Sequence, residues 1–215
     1  MKAVIFDMDG IMFDTESLCI KAWDYANEKL GLEPAGNMVY KTLGLNVKAV
    51  NHILQKEYGE KFDLTLFRHY CDEFTSEYIE KNNVPVKEGL YNILKFLSDN
   101  HYKIALASSS NKSTIYRNLK NTNIDDYFDA IVSGDMIEKS KPEPDIYLKA
   151  AELLDLSPNE CYAVEDSKNG IISAYNAGCN VIMVPDLWQG DEKTDKKLFA
   201  KCYDLNEVIK IIQQK

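Results

Sequence analysis

The sequence predicts an α/β fold: a Rossmann-like parallel-sheet core with an all-α, helical-bundle cap domain inserted after the first strand. Three observations lead there. The chain opens on the short apolar run Ala3-Val4-Ile5-Phe6, and similar runs recur from Val86 onward, each followed by a helical pattern. These runs are apolar at every residue, as strands buried on both faces of a parallel sheet must be. Between the first run and the rest lies a long stretch of helical periodicity with no convincing strand.

Taken in order, a strand at 2–7 delivers the chain into Asp7-Met8-Asp9-Gly10-Ile11-Met12-Phe13-Asp14-Thr15. Leu18/Ala22/Tyr25/Ala26, Val47/Val50/Ile53/Leu54 and the run Leu64 to Ile79 repeat at helical spacing, with loops expected at Gly31 to Gly36 and Tyr58 to Asp63. From Val86 the pattern alternates. A helix face at Leu90/Ile93/Leu94/Leu97 precedes the strand Ile104-Ala105-Leu106-Ala107, and Ile115/Leu119 lies on the next helix. The strand Ala130-Ile131-Val132 leads to a helix through Ile146/Ala150/Leu153/Leu154. Cys161-Tyr162-Ala163-Val164 leads to a helix through Ile171/Ile172/Tyr175 that Gly178 closes. Val181-Ile182-Met183-Val184 is the last strong strand, and Leu205/Val208/Ile209/Ile212 the final helix. The expected domains are residues 1–14 with 86–215 for the core and 15–85 for the cap. An insertion beside polar strand ends is placed to act as a lid that excludes water.

Bulk properties narrow the function. Lys+Arg 25 against Asp+Glu 34 gives a net charge of −9, which argues against nucleic acid or an anionic membrane as partner. A phosphorylated small molecule then needs local positive charge, from a metal ion or a placed lysine. Cys19, Cys71, Cys161, Cys179 and Cys202 are odd in number and contain no C-x-x-C pair, so neither a disulfide framework nor a zinc site is expected. With no signal peptide and no apolar run approaching the length of a membrane span, a cytoplasmic protein is the expectation.

Four polar clusters sit at predicted strand ends, where open α/β sheets bind ligands. In the first, Asp7 and Asp9 are spaced at the strand period, and Gly10 lets the chain turn. A calcium loop would continue with oxygen-bearing side chains at alternate positions, and Ile11 and Phe13 supply none. Ser108-Ser109-Ser110-Asn111 follows strand 104–107 and offers a hydroxyl and N–H groups to an anion, or simply a helix cap. Lys141-Pro142-Glu143-Pro144 opens a helix. Its prolines suit a helix start, and its lysine could be a fixed cation or a solvated one. Glu165-Asp166-Ser167 follows strand 161–164; acids before a helix meet its dipole, and Asp166 would lie near Asp7 if the two strands are close. Such oxygen ligands suit Mg²⁺.

The order of these clusters along the whole chain resembles the haloacid-dehalogenase-like phosphohydrolase superfamily. The nearest subgroup is that of phosphatases and mutases related to β-phosphoglucomutase, through Asp14-Thr15-Glu16, Lys141-Pro142-Glu143-Pro144-Asp145-Ile146-Tyr147 and Glu165-Asp166-Ser167-Lys168-Asn169-Gly170. The resemblance implies that Asp7 is the nucleophile, forming an aspartyl-phosphate, and that Asp9 is the general acid and base. It implies Mg²⁺ held by Asp7, the backbone carbonyl of Asp9, Asp166 and, directly or through water, Glu165. Lys141, Ser108 and Ser109 would bind the phosphoryl group, and Thr15 would support the hinge beneath the cap.

Within that superfamily, Asp9 sets this chain apart from halide-displacing members, which lack the second acid and magnesium. β-Phosphoglucomutases carry a histidine where this chain has Cys19, four residues before Trp23, and a lysine where a loose alignment gives Phe74. The expectation is therefore a phosphatase of a small phosphomonoester, a sugar or polyol phosphate, with a sugar phosphomutase as the alternative. A binding module that has lost catalysis is disfavoured because every motif is intact. His52, His69 and His101 show no triad or metal spacing and read as surface or packing residues, with the inner face of the cap as the alternative for His52 and His69. Lys41 and Lys48, flanking Gly44-Leu45-Asn46, read as solvated lysines or as part of a cap loop facing the substrate; Trp188-Gln189-Gly190 reads as a loop beside the site or a simple loop anchor, and the charge run Lys193–Lys197 as solvated surface. A cap of this size can cover a site within one chain, so a monomer is expected.

Overall fold

A computed structural model describes residues 1–43, 45 and 47–214. The chain divides into two compact units, Met1–Phe13 with Val86–Lys215 and Asp14–Pro85. Asp14, assigned to the core on sequence, falls in the helical unit, where its carboxylate caps the first helix by accepting the Ser17 N–H at 3.3 Å.

In the first unit, six parallel strands are ordered β3-β2-β1-β4-β5-β6. They are β1 (Ala3–Phe6), β2 (Lys103–Ser108), β3 (Ala130–Ser133), β4 (Cys161–Glu165), β5 (Asn180–Met183) and β6 (Ala200–Lys201). β6, only two residues long, is too short to leave a periodic signal in the sequence. Central β1 pairs β2 on one side and β4 on the other, Phe6 lying level with both Leu106 and Val164. The strand order reverses at β1, which makes its C-terminal end the place where a crevice opens. All four residues of β1 are fully buried, as a strand covered on both faces requires.

Five helices of this unit follow the predicted faces: α4 (Leu90–Asp99), α5 (Lys112–Asn121), α6 (Asp145–Leu153), α7 (Lys168–Ala177) and α9 (Leu205–Gln213). α6 and α7 pack on one sheet face, their Ile146, Ala150, Ile171 and Ala174 joining Ala3, Ile5, Ala105 and Ala163 in one apolar cluster. Burial of each such aliphatic side chain contributes about 1.5–3 kcal/mol before conformational entropy is counted. Trp188 packs against that cluster, so it anchors its loop through the core. Lys193, Asp195 and Lys196 of the charge run are exposed, in keeping with a solvated surface. α8 (Glu192–Asp195) overlaps it and opens with a capping box on Asp191, Lys196 pairs with Glu192, and the Lys197 ammonium lies 4.0 Å from the centre of the Tyr175 ring.

The second unit contains α1 (Thr15–Lys29), α2 (Val47–Tyr58) and α3 (Leu64–Asn82), with no strand among its described residues. α1 and α3 meet through aromatic pairs, Trp23 edge-on to Phe67 at 5.5 Å and Tyr25 against Phe74 at 5.3 Å. The 31–36 loop runs into a 3-10 helix, Gly36–Lys41, tied to α1 by the Gly36 N–H on the Asp24 carboxylate at 2.6 Å. Gly44 and Asn46 of the Gly44-Leu45-Asn46 segment lie outside the described residues. No helix among the described residues is long and apolar enough to cross a membrane.

Candidate active site

Because β1, β2 and β4 run parallel and in register, the segments leaving them emerge side by side. Asp7 follows β1, held in place by its N–H on the Val164 carbonyl at 3.0 Å. The next residues form a tight loop. Gly10, at φ +81°, gives its N–H to Phe13, while the Met12 and Phe13 N–H groups reach the Met8 carbonyl. Gly10 is required twice over, because a side chain there would be strained at that φ and would collide with the Asp166 carboxylate.

Three buried carboxylates, Asp7, Glu165 and Asp166, converge with one oxygen of each within 4.8 Å of the others. Lys141, brought in from the segment before α6, lies among them. Its ammonium donates to Asp7 Oδ1 at 2.5 Å, to Glu165 Oε1 at 2.6 Å and to the Ala107 carbonyl at 3.3 Å. Lys141 is 8% exposed, so the solvated alternative for this lysine does not apply. Removing the Lys141 ammonium from this group costs about 3–5 kcal/mol, because the buried carboxylates lose the cation they share.

Asp9 occupies a separate polar corner, where its Oδ2 accepts from Ser110 Oγ at 3.0 Å and Ser108 Oγ at 3.4 Å. Ser108 also accepts the Ser110 N–H at 3.0 Å. Ser109 is exposed between them. The helix cap is a different residue: Asn111 caps α5 by accepting the Thr114 N–H at 2.9 Å, which leaves Ser108 and Ser110 to Asp9. Likewise Ser167, not an acid, caps α7. Thr15 is the first residue of α1 in the helical unit. Of the histidines, His52 and His69 are exposed on α2 and α3, and His101 sits in a turn at φ +58°. Phe74, tilted against Tyr25 and stacked on Tyr78, is committed to aromatic packing.

Burial, reinforced by the Glu165 and Asp9 charges against the opposing pull of Lys141, pushes the Asp7 carboxyl up to about 8. Burial pulls the Lys141 ammonium down, but the Asp7 and Glu165 charges outweigh it and leave Lys141 above its ordinary value. Oxygen donors packed this closely, with the Asp7 charge strongly disfavoured, fit a hard divalent cation such as Mg²⁺.

Sequence reasoning missed three contributors. Ser110 was visible in the serine run, but which hydroxyl reaches Asp9 depends on the turn after β2. Tyr147, fully buried on α6, donates to Glu165 Oε1 at 2.7 Å. Gly170 lies so close to Glu165 that a Cβ would overlap its carboxylate. Gly170→Ala is expected to lower stability by about 1–3 kcal/mol and to displace Glu165. Denaturant unfolding together with Mg²⁺ titration checks both effects.

The family model for haloacid dehalogenase-like hydrolases matches residues 4–184. A phosphorylated carbohydrates phosphatase of Thermotoga maritima is 32% identical over 182 residues, 83% of this chain and 82% of that protein. The β-phosphoglucomutase of Bacillus subtilis is 33% identical over 185 residues, 83% of this chain and 80% of its own. Among solved structures, a β-phosphoglucomutase from Clostridium difficile superposes with a TM-score of 0.78 at 25% identity, covering 100% of this chain and 96% of its own.

Proposed function

The chain belongs to the haloacid dehalogenase-like hydrolase family, and on that footing we propose that it is a Mg²⁺-dependent phosphatase. Its substrate is a small phosphomonoester, a sugar or polyol phosphate, hydrolysed through an aspartyl-phosphate on Asp7. The observation that carries this reading is the Asp7–Lys141 contact at 2.5 Å within a cluster of buried acids, beside a separately held Asp9. A nucleophilic carboxylate must approach an already anionic phosphoryl group, and a fixed cation there offsets the repulsion.

Asp7 would attack phosphorus in line while Asp9 donates a proton to the departing alkoxide. In the second step Asp9 takes a proton from the water that splits the acyl phosphate. The hydrogen bonds from Ser108 and Ser110 aim the Asp9 carboxylate for both transfers. Lys141 would hold the phosphoryl oxygens, assisted by the Ser108 hydroxyl and the exposed Ser109 segment, and Thr15 supports the hinge. Asp7, the Asp9 carbonyl, Asp166 and Glu165 would hold Mg²⁺, which when bound neutralises phosphoryl charge and orients the transferred group.

The relatives named for phosphatase and for β-phosphoglucomutase activity define the two candidate outcomes. Cys19, in place of the mutase histidine, supports water as the acceptor. The deciding experiment measures phosphate release with Mg²⁺ across phosphosugars and polyol phosphates, with the products from β-glucose 1-phosphate resolved. Release from one compound well above the others is expected and names the substrate class. Glucose 6-phosphate without free phosphate would make the chain a mutase instead.

A further inference from the structure

We propose that Tyr147 is a positioning residue of this site, whose hydroxyl fixes the Glu165 carboxylate and so keeps the Lys141 ammonium on Asp7. The proposal rests on the phosphohydrolase reading above and adds to it a residue that never touches the reacting atoms.

Glu165 is fully buried and receives five donors. Oε2 accepts the Asp166 N–H at 3.1 Å, the Ser167 N–H at 3.2 Å and Ser167 Oγ at 3.1 Å, all from the residues that directly follow it. Oε1 accepts Lys141 at 2.6 Å and Tyr147 at 2.7 Å. Tyr147 alone therefore comes from an element that belongs neither to the β4–α7 turn nor to the lysine segment. It ties the carboxylate to α6, which is packed into the core.

The consequence concerns Lys141. Its flexible stem ends between two carboxylates at nearly equal distances, 2.5 Å from Asp7 and 2.6 Å from Glu165. A hydroxyl donated to Oε1 satisfies part of that oxygen's capacity and reduces its hold on the ammonium. Without it, Glu165 Oε1 has Lys141 as its remaining partner and draws the charge away from Asp7. The Tyr147 ring adds a second restraint, its centre lying 5.2 Å from the ammonium.

The choice of residue supports this account. Tyr147 is 0% exposed on the apolar face of α6, where phenylalanine would fill nearly the same volume without a polar group to satisfy. A tyrosine there is accounted for by the carboxylate it serves.

Tyr147→Phe keeps the ring and deletes the donor. In the full-length protein we expect an unchanged fold, a kcat lower by about tenfold with KM for the phosphomonoester little changed, and Mg²⁺ binding by calorimetry weaker by several-fold. Replacing Tyr147 with 3-fluorotyrosine keeps both ring and donor and is expected to stay within about twofold of wild type. Wild-type kcat and Mg²⁺ affinity in Tyr147→Phe would overturn the proposal. So would equal losses in both variants, which would mark a packing role. Absence of phosphate release by the wild type would instead count against the phosphohydrolase reading, and calorimetry on the three proteins would still decide whether Tyr147 orders the acid cluster.

Discussion

Asp7→Asn is expected to abolish turnover, lowering kcat by at least about a thousandfold, and to eliminate the covalent phosphoryl-enzyme. The amide is almost isosteric with the carboxylate, so Lys141 and the β1 loop can stay in place while the nucleophile is lost. Phosphate release and mass spectrometry of acid-quenched protein check the two parts of this expectation. Appreciable residual turnover would remove Asp7 as nucleophile. The same substitution is expected to raise the stability of the Mg²⁺-free protein at pH 8 and above. Burial and the neighbouring acids make an ionised Asp7 unfavourable in the fold, and a neutral amide avoids that cost. Opposite movements of activity and stability mark a residue held at a site for chemistry rather than for packing.

Much of this arrangement was legible in the sequence because the physics behind it is local or periodic. Runs such as Ile104-Ala105-Leu106-Ala107, apolar at every residue, announce a doubly covered strand, and the observed β2 extends that run by one residue at each end. Three of the motifs could be placed because each directly follows such a run, and the Lys141 motif because its prolines open a helix. What sequence does not carry is which strands are neighbours. Asp7 and Asp166 are separated by most of the chain, and only the pairing of β1 with β4 brings them together. Helix capping misleads for a related reason. The serines after β2 and the acids after β4 both stand where caps stand, yet Asn111 and Ser167 do the capping. A Ser-Asn or Asp-Ser string does not say which residue bonds the free N–H group, because one backbone turn decides it. Tyr147 is the extreme case. On sequence it is the last residue of the Lys141–Tyr147 motif, with no role of its own legible there, and that role depends on a carboxylate from β4 lying against its hydroxyl.

Removal of Mg²⁺ should silence the enzyme, and the protons exchanged should identify the group responsible. The folded, metal-free protein holds Asp7 at about 8 against an ordinary 3.8. Between those values the folded state binds a proton that the unfolded chain has lost. That contribution to stability is complete below the ordinary value and disappears as pH rises through the folded one. The melting temperature of the chelated protein should therefore fall between pH 6 and pH 8.5 on account of this group, the reverse of the usual trend for a paired carboxylate. Mg²⁺ favours the ionised carboxylate, so binding at pH 7 should release about one proton and flatten the profile. Calorimetric titration of Mg²⁺ in buffers of different ionisation enthalpy measures that proton directly. Asp7→Asn should bind Mg²⁺ more weakly and release none. Full activity in chelator, or metal uptake without proton release in the wild type, would remove Asp7 from the ligand set and leave Lys141 as the cation opposite the phosphoryl group.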